Sequence, residues 1–126
     1  NIAARYMDRW VPIEPDPMSV CVWTKGLSDL HADNPAARRE SLQLPVGHGE
    51  GRFLADSEAT LADLRRHGQI ALRYGDNFNG SQDSIAGICD PSGRIFGLMP
   101  HPDRAFETEL GSADGAILFQ SALASA

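Results

Sequence analysis

Residues 57–67 carry every local mark of an α-helix, and the sequence around them does not. Asp56 or Ser57 can cap the segment, Glu58 sits in its first turn, and Leu61 and Leu64 lie three apart on one face. Arg65, Arg66 and His67 occupy the last turn, and Gly68 can take the left-handed position that ends a helix. The flanking sequence reads as strands. Residues 9–14 and 18–23 alternate apolar with polar side chains and are rich in β-branched and aromatic residues, although Pro12 and Pro15 suit an edge or a bulge. Residues 24–40, through Asn34 and Pro35, are turn-rich and charged and read as a surface loop with one helical turn. Residues 41–47 read as a strand entering Gly47-His48-Gly49-Glu50-Gly51, and 69–74 as another. After a turn cluster at 75–81 a hairpin is expected from 85–89 and 94–99, joined by Asp90-Pro91-Ser92-Gly93. A last helix is expected over 113–125, with Ser112 as its cap and Ala113, Ala116, Ile117 and Leu123 toward the core. Two helices around a glycine-punctuated sheet give the α/β class.

Size and charge narrow the function. A chain of 126 residues, 42% hydrophobic and 22% charged, is long enough for one globular domain. A net charge of −6 argues against nucleic acid and anionic membranes, which both ask for a cationic face. No apolar run approaches the ~18 residues of a membrane span, and the first residues lack the layout of a signal peptide. Cys21 and Cys89 are too few for a disulfide scaffold or a four-cysteine metal site, so a cytoplasmic location is expected. The chain opens on Asn1 with no initiator Met. Processing, trimming, or a start inside a larger domain each account for that.

Two segments carry candidate chemistry. In Phe96-Gly97-Leu98-Met99-Pro100-His101-Pro102-Asp103-Arg104 an apolar strand stops at Pro100, and a histidine emerges between two prolines. The prolines restrict the backbone where a side chain needs a fixed direction, and loops beyond strand ends gather catalytic groups in α/β folds. His101 with Asp103 is the base-plus-orienter half of a nucleophilic triad, or a turn histidine with a capping Asp. In His48-Gly49-Glu50 the glycines permit close backbone approach, and an extended segment would place His48 and Glu50 on one side as a substrate-binding pair. A tight turn with a solvated Glu50 is the other reading. A metal site using His48, Glu50, His101 and Asp103 is a third, resting on two short-spaced pairs. Asn79-Gly80-Ser81 fits a glycosylation acceptor but is a turn pair first.

These residues resemble a known family. Leu44-Pro45-Val46-Gly47-His48-Gly49-Glu50-Gly51-Arg52-Phe53 is similar to the P-x-x-HGEG segment of phosphoribosylformylglycinamidine synthase glutaminases. Asn79-Gly80-Ser81, Ile85-Ala86-Gly87-Ile88-Cys89 and Gly97-Leu98-Met99-Pro100-His101-Pro102 follow in the family's order. The tail, Leu110-Gly111-Ser112-Ala113-Asp114-Gly115 with Leu118-Phe119-Gln120-Ser121, is similar to the small, separate-subunit form. The resemblance implies a class I, triad-type glutamine amidotransferase with a flavodoxin-like α/β sheet. Such domains hydrolyse glutamine and deliver ammonia to a synthase that converts formylglycinamide ribonucleotide to its amidine. No cofactor is implied in this segment; ATP and Mg belong to the synthase partner. His101 falls on the family's catalytic His, and Asp103 falls where the family usually has the triad Glu.

Three departures follow from the same resemblance. Asp103 is a methylene shorter than Glu and reaches ~1.5 Å less, which can loosen an orienting hydrogen bond, but Asp fills that role in other triads and the change reads as tolerated. Phe78 stands where Pro is common. The family's nucleophile lies in a Gly-x-Cys-x-Gly elbow, and neither Cys21 nor Cys89 has such flanks. The expectation is that residues 1–126 form the C-terminal part of a glutaminase domain, inactive alone for want of a thiolate. A degenerate fragment that only docks a synthase is the alternative.

Overall fold

The structure is a computed structural model that describes residues 1–28 and 42–126. Among the described residues five strands form one sheet: β1 (Met7–Pro15), β2 (Gln43–His48), β3 (Ile70–Tyr74), β4 (Ile85–Cys89) and β5 (Phe96–Leu98), in the order β2-β1-β3-β4-β5. Every pairing between them is antiparallel. Among the described residues two complete α-helices, α1 (Glu58–Arg66) and α2 (Ala116–Ala124), accompany the sheet in an α/β fold, and residues 25–28 are also helical. Among the described residues no helix is long and apolar enough to cross a membrane.

β1 is shared between two partners. Met7–Pro12 pair with β2 and Ile13–Pro15 with β3, so the chain passes from one neighbour to the other at Pro12. A proline costs least where a strand changes partners, because its missing N–H breaks no continuous ladder. Period-two alternation sends Val11 and Ile13 inward from β1, and Leu44, Val46 and His48 inward from β2. Leu72, Tyr74, Ala86 and Leu118 join them in the main core. Bulges on either side of Leu72 break the simple alternation of β3. Ile70 therefore packs under α1 with Leu61 and Ile85, Ala71 meets Cys21 and Cys89, and Leu72 stays in the main core.

α1 forms as its sequence requires. The Ser57 hydroxyl accepts a hydrogen bond from the Thr60 N–H, His67 is the C-cap, and Gly68 follows at φ +67°. The hairpin also forms as expected. The Asp90 carboxylate accepts from the Ser92, Arg94 and Ile95 N–H groups and from the Ser92 hydroxyl. Those bonds, Ser92 and Ile95 foremost, hold it down to about 2.

Two expectations are corrected. Residues 18–23 are not a strand. Asp16 accepts from the Met18 N–H and Ser19 from the Cys21 N–H, which closes turns in place of an extended run. The Val20 and Val22 N–H groups bond to the carbonyls of Gly68 and Gly93, which belong to turns. The final helix begins at Ala116 and not at 113. Ser112 accepts from the Asp114 N–H, and Gly115 fits against the Pro102 carbonyl so closely that a Cβ would stand 2.2 Å from it. That start turns Leu118 inward, and five residues on, roughly 140° around the helix, Leu123 is 76% exposed. Ile117 does pack against the core. Of the expected loop at 24–40, residues 25–28 are helical, while 29–40, with Asn34 and Pro35, lie outside the described residues, as does position 41 of the expected strand.

Candidate functional site

The loop after β5 is pinned at both ends. Met99 N–H bonds to Ala86 O, Pro100 is fully buried, and His101 N–H bonds to Pro45 O at 2.8 Å. Pro45 lies in β2, at the far end of the strand order from β5, so the sheet curls to bring its two ends together at His101. Residues Pro102–Arg104 then make one 3-10 turn, with Arg104 N–H on His101 O and Ala105 N–H on Pro102 O. Gly115 N–H bonds Ala105 O at 2.7 Å and ties the turn to the start of α2.

His101 and Asp103 are brought together. His101 Nδ1 lies 3.8 Å from Asp103 Oδ1, and the two side chains are 33% and 69% exposed. That separation is ion-pair range and beyond hydrogen-bond length, which ends near ~3.2 Å. The shortfall is smaller than one methylene.

His48 and Glu50 are not brought to one side. β2 ends at His48 and the chain bends at Gly49, so the extended geometry assumed for the pair does not continue. His48 is 7% exposed and its ring stacks on Phe78 with centroids 5.9 Å apart. Gly51 closes over the other side, where a Cβ would stand 2.2 Å from His48 Cε1. Neither ring nitrogen has a hydrogen-bond partner. Burial pushes this imidazole below the ordinary 6.5, and the N-terminal ammonium and His101 push it the same way. Glu50 is exposed at the rim of an apolar cleft of about 240 Å³ that Phe53, Ile85, Leu98 and Met99 help to line.

The loop at 48–51 is held by Asn1 and Asn79. Asn1 donates to His48 O and accepts from Gly51 N–H. Asn79, completely buried, donates to Gly51 O while its own oxygen accepts from Ser81. Its burial rules out the glycosylation reading and makes the Asn-Gly pair a structural clamp. On the outer face of β2, a Cβ on Gly47 would stand 3.1 Å from the Tyr6 hydroxyl and 3.4 Å from Arg104 Nη1. Arg104 was visible in the motif but carried no assigned role, and Tyr6 gave no signal.

Neither cysteine is set up as a nucleophile. Both are buried and each borders the other. Burial raises Cys21, and burial with the neighbouring thiol pushes Cys89 up to about 12. Among the described residues no three His, Cys, Asp or Glu side chains gather as a metal cage.

The chain is 50% identical over 103 residues to phosphoribosylformylglycinamidine synthase subunit PurQ of Trichormus variabilis, covering 81% of this chain and 42% of that protein. It is 55% identical over 98 residues to the subunit of the same name from a Synechococcus strain, covering 77% of this chain and 43% of that one. The solved structure of PurLQS from Thermotoga maritima superposes with a TM-score of 0.76 at 30% identity, over 99% of this chain and 50% of that chain. The chain thus spans less than half the length of the PurQ relatives it matches. Residues 1–114 match the CobB/CobQ-like glutamine amidotransferase domain, and the chain belongs to that family.

Proposed function

We propose that this chain supplies the histidine–carboxylate part of the glutaminase of a phosphoribosylformylglycinamidine synthase, acting in purine biosynthesis in the cytoplasm. The observation that carries the reading is the pinned loop: His101 fixed by Pro45, with Asp103 beside it, in a chain half identical to PurQ subunits. A thiolate attacks the carboxamide carbon of glutamine, forming a C–S bond, and ammonia leaves. His101 takes the thiol proton and hands it to the departing nitrogen; water then releases glutamate from the thioester. Asp103 orients the ring and stabilises the imidazolium. The thiolate belongs to sequence outside residues 1–126, since Cys21 and Cys89 are buried and raised. We assign Glu50, exposed on the loop that follows β2, to substrate contact, and the buried His48 to holding that loop. Ammonia passes to a synthase partner, whose ATP and Mg drive amidine formation.

A second reading, a non-catalytic docking piece, draws on one observation, the 3.8 Å separation and exposure of Asp103. The two part in the complete glutaminase that carries this segment, assayed with its synthase. His101→Ala is expected to lower glutamine-dependent turnover about 10²–10⁴-fold, the size of a lost general acid–base. Asp103→Asn costs less, and Asp103→Glu, which closes the gap to His101, is neutral or beneficial. Synthesis from free ammonia survives all three. Unchanged glutamine turnover in His101→Ala would overturn the catalytic assignment. The isolated 126-residue chain is expected to release no glutamate above background.

A further inference from the structure

We infer that Arg104 and the Tyr6 hydroxyl, meeting over Gly47, form the subsite for the α-carboxylate of glutamine, an inference that rests on the glutaminase reading above. Both groups lie within 3.5 Å of the point where a Gly47 side chain would begin. Any other residue there would fill the space between them. Arg9, Arg65, Arg66 and Arg73 each form an ion pair with an aspartate. Among the described residues Arg5, Arg52, Arg94 and Arg104 have no such partner; of these Arg104 is the one at Gly47, and the Tyr6 hydroxyl beside it has no hydrogen bond. Asp103, next to Arg104 in the chain, faces His101. An unpaired guanidinium beside a phenol hydroxyl is a donor set for a carboxylate.

The spacing matches the substrate. Arg104 is three residues beyond His101 on one 3-10 turn, with its N–H on the His101 carbonyl at 3.1 Å. His101 N–H docks on Pro45 O, and Gly47 lies two residues further along the same face of β2, about 7 Å away. Glutamine spans roughly 5 Å from its amide carbon to its carboxylate carbon, across four C–C bonds. A carboxylate held over Gly47 thus stands about one glutamine length along β2 from the point where His101 docks. The amide of any chain lacking that carboxylate would gain nothing from Arg104. The subsite is thus a device for specificity as well as for affinity.

The test uses the complete glutaminase with its synthase and two substrates, glutamine and 4-aminobutanamide, which lacks the α-carboxylate. Arg104→Met is expected to raise KM for glutamine about 10–100-fold, the size of a lost hydrogen bond to a charged group. Its kcat should stay within about threefold, since uniform binding is what is lost. KM for 4-aminobutanamide should not move, so the preference for glutamine falls by the same factor. Tyr6→Phe does the same to a smaller extent, and Arg104→Lys restores part of the preference. These two variants carry the test if Arg104→Met fails to fold, which loss of the cooperative thermal transition of the glutaminase would reveal. An unchanged preference in a protein that hydrolyses glutamine would overturn the subsite and leave the glutaminase reading standing. So would an equal rise in KM for both amides, the mark of a structural role. If the unaltered protein hydrolyses no glutamine, the glutaminase reading fails and the subsite with it.

Discussion

His48 illustrates how a residue can be found by its motif and still act through packing. The glycines of its motif imply freedom for backbone approach, and Gly51 does provide a close approach, but to the His48 ring itself. The imidazole between Gly51 and Phe78 is buried with both nitrogens unpartnered, an environment that disfavours its charged form. The consequence for stability has a definite sign. In the unfolded chain His48 takes up a proton near the ordinary ~6.5; in the folded chain it does so only at lower pH. Unfolding in that interval binds a proton, so the contribution of a neutral His48 is complete above the unfolded value. It drains away as pH falls toward the folded one. The slope from one such group is at most about 1.4 kcal/mol per pH unit. His48→Phe keeps a planar ring against Phe78 and removes the titration. Urea unfolding between pH 7.5 and 5.5 should therefore show a shallower loss of stability in His48→Phe than in the unaltered chain, with neutral-pH stability retained. Parallel slopes would mean that His48 carries no such coupling. The charges that bear on it, the N-terminal ammonium and His101, are present in both proteins and drop out of the comparison.

Among the elements, α1 was legible because its signals are local. Ser57 accepts from Thr60 N–H, Leu61 is buried, and Arg65 and Arg66 end it, with no reference to the rest of the fold. Ser57→Ala should cost about 1 kcal/mol, the usual worth of such a cap, read as a lower urea midpoint at unchanged m-value. Ser57→Asp, which keeps an acceptor and adds charge favourable at a helix N-terminus, should restore it. A midpoint unmoved by Ser57→Ala would mean that tertiary packing of Leu61 alone sets the helix. The hairpin was legible for the same reason, since Asp90-Pro91-Ser92-Gly93 closes on its own carboxylate. Residues 18–23 misled because strand-like alternation is necessary for a strand and not sufficient. Asp16 and Ser19 capture the N–H groups that a neighbouring strand would need. The register of α2 was misjudged because its first turn is set by contact between Gly115 and Pro102, residues that meet only after folding. The site divides along the same line. His101 and Asp103 are neighbours in sequence and were found together. Tyr6 and Gly47 meet through the β1–β2 pairing and Arg104 joins them where the sheet curls, so no spacing along the chain announces the three.

At the scale of the whole molecule, the curl gathers the site at one place and leaves apolar surface at another. The cleft of about 240 Å³ between residues 50–53 and the β4–β5 hairpin is lined by Phe53, Ile85, Ile88, Leu98 and Met99. β5 pairs only with β4 among the described strands, and it is three residues long. Ile95 beside it is 72% exposed. A second apolar surface lies on α2, where Phe119 and Leu123 are exposed near Phe106. Contiguous apolar surface next to an unpaired strand edge favours association, because a second chain can bury the one and satisfy the other. The 126-residue chain on its own should therefore form species heavier than the monomer, in a proportion that rises with concentration in sedimentation velocity. The two surfaces can be told apart. Met99→Lys charges the cleft beside β5, while Leu123→Lys charges α2 on the other surface. Because the cleft combines apolar area with free backbone donors and acceptors, Met99→Lys should return most of the protein to monomer and Leu123→Lys should change little. The reverse pattern would assign the association to α2. A concentration-independent monomer in the unaltered chain would show that β5 is too short, and the cleft too small, to recruit a second copy.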